Sequence, residues 1–130
     1  MGLILDSSIL IANERRRGTI DDVVFQANAI GETEIGISAI SIVELTHGIY
    51  RARTEAEKVR RRVYTEKAFR DLGVHPVTFE IAQLAGKIEG EQAAQGIAIG
   101  FEDLVIGATA LYLGFGIATL NVRHFELTLD

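Results

Sequence analysis

The sequence predicts an α/β fold, a layered sandwich around a mostly parallel central sheet of short strands, formed as one domain over residues 1–130. Three observations carry this. Apolar runs of four or five residues alternate with longer stretches whose apolar residues recur at helical spacing. A chain of 130 residues with 48% hydrophobic and 24% charged side chains has the size and composition of a single globular unit. Only one proline occurs, and no repeat, linker or low-complexity tract divides the chain.

Taken in order, Gly2-Leu3-Ile4-Leu5 reads as a strand buried on both faces, with Asp6 at its tip. Residues 8–13 read as a short helix, ended by Arg15-Arg16-Arg17-Gly18. From Ile20 to Ile30 the spacing is helical, and Asp21 and Asp22 fall in the first turn, where the helix dipole favours acids. Glu34 to Ser38 is a second short strand, Ala39 to Tyr50 a helix, and about Thr54 to Leu72 a longer polar helix stopped by Gly73. Val74 to Val77 is extended. Thr78 then caps a helix carrying Phe79, Ile81, Ala82, Leu84, Ala85 and Ile88 at helical intervals. After a break at 96–100, Phe101 to Leu113 is apolar almost all round and belongs in the interior. Ile117 to Leu120 forms the last strand, ending at Asn121. In such sheets, sites form beyond the carboxyl ends of the strands, and Asp6 and Asn121 both fall there.

The absence of cysteine excludes disulfides, thiolate zinc sites and cysteine nucleophiles. His47, His75 and His124 lie in separate elements without ligand spacing, which argues against zinc. No secretion signal and no apolar stretch near the roughly 18 residues of a membrane span is present, so a cytoplasmic protein with no membrane partner is expected. The net charge of −5 argues against a nucleic-acid partner, but its distribution is uneven. Eight of the 13 basic residues lie between Arg51 and Arg70, and none lies between Ile88 and Val122. The basic run is either a solvated helix face or a basic wall beside an acidic centre.

That centre is drawn by acids that interrupt apolar patterns. Asp6 ends the first strand. Glu44 either closes a capping box with Ser41 or, if Ser38 caps a helix from Ala39, faces inward from the second turn. Asp103 opens the most apolar helix beside Glu102; first-turn acids are favoured there, yet Ile106, Gly107 and Ala110 continue the stripe of Asp103. One acid of that pair is expected to face solvent and the other the sheet. The layering brings Asp6, Glu44 and Asp103 to one sheet edge, where repulsion and desolvation oppose their joint ionisation. Arg123 is the one base nearby. A divalent cation with hard oxygen ligands, Mg²⁺ or Mn²⁺, is the natural compensator, and it suits phosphodiester hydrolysis.

At these residues the sequence resembles the PIN-domain endoribonucleases, and within them the VapC-type toxins of type II toxin–antitoxin systems. ILDSSILIA (4–12), ISAISIVELTHGI (37–49), FEDLVIGATALYLG (101–114) and ATLNVRHFE (118–126) carry the resemblance, in family order and spacing. The resemblance implies a PIN-like three-layer α/β/α sandwich. It makes Asp6, Glu44 and Asp103 the acidic metal-site residues, with Asn121 in a fourth position that is often Asp and Ser8 as a supporting hydroxyl. It implies Mg²⁺-dependent cleavage of RNA, tRNA or rRNA, with Asp6 and Asp103 as chief ligands, Glu44 binding metal through water or positioning the attacking water, and Asn121 orienting a water or the metal shell. Arg123 and His124 are either phosphate contacts or ordinary surface residues. A cognate VapB-like antitoxin is implied as inhibitor, and a homodimer as the assembly. Asn121 leaves the cluster one charge short, which bears on a second Mg²⁺. Relatives usually run beyond the equivalent of Asp130, so a short further tail is expected.

Other readings fit less well. A haloacid-dehalogenase-type enzyme needs a second Asp where Ser8 stands, a receiver needs an early acidic pair and a late Lys, and P-loop and dinucleotide glycine patterns are missing. The remaining alternative is a catalytically silent PIN-fold module that binds RNA or protein; the intact acid triad favours the enzyme.

Overall fold

The computed structural model describes residues 2–120. Its strands are β1 (Gly2–Leu5), β2 (Glu34–Ser38), β3 (Gly73–His75) and β4 (Gly116–Ala118). The helices are α1 (Ser7–Arg15), α2 (Ile20–Ala29), α3 (Ala39–Tyr50), α4 (Glu55–Asp71), α5 (Phe79–Ala93) and α6 (Phe101–Leu113). The strands form one sheet in the order β3-β2-β1-β4, and every pair is parallel. Strand order therefore runs one way from β1 to β3 and reverses to place β4 on the other side of β1. The crevice between β1 and β4 is the topological switch point, where doubly wound folds bind their ligands.

Parallel strands need crossover helices on the sheet faces, and alternation along β1 shows both faces covered. Leu3 and Leu5 point into a cluster with Leu10, Ile20, Val23, Leu45 and Ala68, from α1–α4. Ile4 points the other way, against Ile106 and Ala110 of α6 with Ile117 and Phe115 beside them. Behind α6, Leu104 and Ala108 pack on Ile81, Ala85 and Ile88 of α5. This is the expected three-layer α/β/α sandwich. Gly36 has a steric reason on that second face. A Cβ there would stand 2.7 Å from both the Gly73 carbonyl oxygen and His75 Nε2, and His75 in turn meets Phe115 edge-to-face at 5.8 Å.

Several boundaries move. The first helix spans Ser7–Arg15 instead of residues 8–13. Leu72 swings to an extended conformation (φ −100°, ψ 147°), so Gly73 begins β3 rather than merely stopping a helix. The last strand ends at Ala118, short of the expected 117–120. Ser38 caps α3 by accepting the Ile40 N–H at 3.2 Å, whereas the Ser41 hydroxyl is buried without a hydrogen-bond partner. The capping-box reading of Glu44 is thereby excluded, and Glu44 stands in the second turn.

The basic run is partly consumed inside the fold. Arg60 pairs with Glu14 of α1 at 3.0 Å, and Arg61 reaches Glu14 at 3.7 Å, Glu57 at 2.8 Å and the Gly48 carbonyl at 2.7 Å. Lys67 bonds Asp71 at 2.7 Å. Tyr64 donates to Asn13 at 2.7 Å. The contacts to Glu14, Asn13 and the Gly48 carbonyl fasten α4 to α1 and α3. No helix among the described residues is long and apolar enough to cross a membrane.

Candidate active site

The site is built from the chain's exit at β1. The Asp6 N–H donates to the Ala118 carbonyl at 2.9 Å, adding a rung to the β1–β4 pairing and fixing Asp6 at the mouth of the switch point. Its carboxylate, 3% exposed, accepts from Ser8 Oγ at 2.7 Å and from Thr119 Oγ1 at 2.8 Å, both on Oδ2. Ser8 Oγ also accepts the Leu120 N–H at 3.1 Å, so the chain leaving β4 is tied to the chain leaving β1 through this carboxylate.

Around Asp6 lies a cleft of about 310 Å³. Glu44 reaches it from α3, and Glu102 and Asp103 from the first turn of α6. Acids in that turn face unpaired N–H groups, which stabilise negative charge. Both acids are half-buried and line the cleft. The expectation that one would face solvent is incorrect: the exposed position falls to Phe101, 69% exposed, one residue earlier on the turn. Ser7, 2% exposed, donates to Glu44 Oε2 at 2.5 Å and lies 3.3 Å from Glu102 Oε1. One hydroxyl proton serves one acceptor at a time, and the shorter distance assigns it to Glu44.

Burial pushes the Glu102 carboxyl up to about 8, with the hydrogen bond to Glu44, the Glu44 charge and the Asp6 charge adding to it. Glu44 is held below its ordinary value, chiefly by the bond from Glu102, with Ser7 and His47 contributing against the opposing effect of burial. The two carboxyls share one proton, carried by Glu102 and donated to Glu44. No Lys or Arg is among the described residues lining the cleft.

Asp6, Ser8, Glu44 and Asp103 thus stand on one cleft; Asn121, Arg123 and His124 lie outside the described residues. The sequence reading missed Ser7, Glu102 and Thr119. Ser7 and Glu102 were adjacent in sequence to recognised residues, and adjacency was the one available signal. Carboxylate oxygens and no sulfur make a hard donor set. Among the described residues, no three Asp, Glu, His or Cys side chains group closely enough to hold a metal ion together.

A PIN-domain family model matches residues 3–128. Ribonuclease VapC1 of Rickettsia felis is 31% identical over 126 residues, covering 97% of this chain and 90% of that protein. Ribonuclease VapC10 of Mycobacterium tuberculosis is 31% identical over 125 residues, covering 96% and 86%. Among solved structures, VapBC2 of Rickettsia felis bound to a promoter DNA fragment superposes with a TM-score of 0.81 at 20% identity, covering 98% of this chain and 93% of the matched one. DNA-bound VapBC of Salmonella typhimurium gives 0.81 at 24% identity, covering 97% and 91%.

Proposed function

The chain belongs to the PIN-domain family, among the VapC ribonucleases, and from that premise we propose that it is a metal-dependent endoribonuclease toxin. The observation that carries this reading is the convergence of Asp6, Glu44, Glu102 and Asp103, from β1, α3 and α6, on one cleft at the sheet's switch point. In the proposal Asp6 and Asp103 would be the chief residues holding Mg²⁺, or Mn²⁺ in its place, with Glu44 binding it through water or positioning the attacking water. Such an ion supplies Lewis acidity toward a phosphoryl oxygen and lowers the pKa of water.

The protein's own groups set up the rest. Ser8 and Thr119 both bond Asp6 Oδ2, which orients the carboxylate at the mouth of the cleft. Ser7 fixes Glu44, the carboxylate that in this reading positions the attacking water. Burial, with the Glu44 and Asp6 charges added to it, holds the proton on Glu102, and a cation in the cleft would favour its ionised form. In this reading Asn121 orients water or the metal shell, and Arg123 and His124 contact phosphate.

The substrate class is RNA, with tRNA or rRNA as targets, and the inhibitor is a cognate VapB-like antitoxin. The VapBC complexes among the structural neighbours support a partner of that kind. A homodimer is part of the proposal; Val43 and Tyr50 of α3, 65% exposed each, are apolar surface available to it. The test is cleavage of total RNA by antitoxin-free protein with Mg²⁺, with EDTA, and with Asp6→Asn. Cleavage with Mg²⁺ alone is expected. Undiminished cutting by the variant or in EDTA would contradict the metal mechanism, and silence in all arms would favour a binding module.

A further inference from the structure

We propose that Phe101 is the base-stacking platform of the cleft, holding the nucleobase next to the scissile phosphodiester; this rests on the ribonuclease reading above. An exposed aromatic residue is by itself ordinary, and Phe25 and Phe79 are as exposed as Phe101. Position distinguishes it. Phe101 is the first residue of α6, directly before Glu102 and Asp103, and it lies on the rim of the cleft that they line, 69% exposed. The other described lining residues offer oxygens, a glycine backbone and no ring.

Charge sharpens the argument. Nucleic acid is ordinarily held by Lys and Arg, yet none lines the described cleft. The sequence from Ile88 to Val122, which supplies the whole α6 side, contains none either. A polyanion brought against these acids gains from an attachment on the α6 side that does not depend on cationic side chains, beside the phosphate contacts proposed above for Arg123 and His124. Stacking provides it: every base has a π-face, so an aromatic ring holds single strands with little regard to sequence. RNA recognition commonly uses splayed, stacked bases. At 69% exposure the ring has room for a base and contributes little to the core.

Phe101→Ala should weaken RNA binding and lower kcat/KM by about 5- to 150-fold, the range for loss of one base stack. The loss should appear in KM with kcat nearly unchanged, because a stack made equally in ground and transition states is uniform binding. Displacement of Glu102 or Asp103 would instead lower kcat. Phe101→Tyr and Phe101→Trp should restore function and Phe101→Leu should not, while melting temperatures of all four stay at the wild-type value.

The chain contains no tryptophan, so Phe101→Trp creates a single tryptophan reporter that can be excited beyond the absorption of the tyrosines. In the Asp6→Asn background its emission should be quenched by a short single-stranded RNA, and an abasic site at one nucleotide should abolish the quenching. Binding of RNA by Phe101→Ala equal to wild type, rescue by Leu as good as by Trp, or no quenching would overturn the proposal. So would a Phe101→Ala defect confined to capture of a co-expressed protein partner. Quenching and weakened binding without cleavage by the wild type would uphold the platform and remove the nuclease reading, so the two fail separately.

Discussion

Replacing Glu102 with glutamine removes the acid whose ionisation the cleft opposes most. In the native protein this carboxyl keeps its proton up to about pH 8, against an ordinary value of 4.5 when the chain is unfolded. Between those values the native state binds the extra proton. Its contribution to stability is therefore complete below about 4.5 and is lost as pH rises to about 8. Taken alone, that interval is worth at most about 5 kcal/mol. Glu102 faces an open cleft and is half-exposed, so solvent screening reduces the effect to about 1–2 kcal/mol. Glutamine still donates to Glu44 but cannot ionise. Glu102→Gln should match the wild type at pH 5 and exceed it at pH 8.5 by about 1–2 kcal/mol, roughly 3–8 °C in Tm. Glu44 acts in a different window: its lowered value gives stability present above 4.5 and lost as pH falls through the native value, so it does not mask the alkaline effect. The assay is thermal melting by circular dichroism in EDTA across pH 4.5–9. Parallel curves for the two proteins, or a less stable variant at pH 8.5, would refute the shared-proton account.

Three further outcomes are expected. Thr119→Val, which removes one of two hydroxyls on Asp6 Oδ2, should raise the Mg²⁺ concentration for half-maximal cleavage by about 10–100-fold with little change in saturated rate; an unchanged Mg²⁺ requirement would count against the orienting role. Gly36→Ala forces a methyl against the Gly73 carbonyl and the His75 ring, and should cost about 1–3 kcal/mol in urea unfolding because backbone on one side cannot yield. Glu14→Ala leaves Arg60 and Arg61 without their α1 partner and should cost about 1–3 kcal/mol in the same assay, with RNA cleavage retained.

What the sequence disclosed followed from contradiction between neighbouring residues. Asp6 and Asp103 were legible because each interrupts an apolar pattern that layering must bury. Glu102 was not, because an acid in a first turn is already explained by the helix dipole; its role depends on Glu44 arriving from α3, a long-range fact. Thr119 was equally hidden, since a hydroxyl near a strand end signals nothing until β4 is known to lie beside β1. Alternating strands and helices predicted a parallel sheet, yet periodicity does not encode the order β3-β2-β1-β4. The basic run from Arg51 to Arg70 was visible as charge, whereas the inward turn of Arg60 and Arg61 toward Glu14 was not. Glycine ends helices, so Gly73 signals a stop in the sequence; in the fold it also begins a strand paired with β2.

The central claim is that a hard divalent cation sits among the acids of the switch-point cleft. Anomalous scattering from crystals grown with Mn²⁺ measures this without relying on activity. The account predicts a peak within bonding distance of Asp6 and Asp103 that disappears in Asp6→Asn. A cleft without a peak at saturating Mn²⁺, or a peak that persists unchanged in the variant, would contradict it.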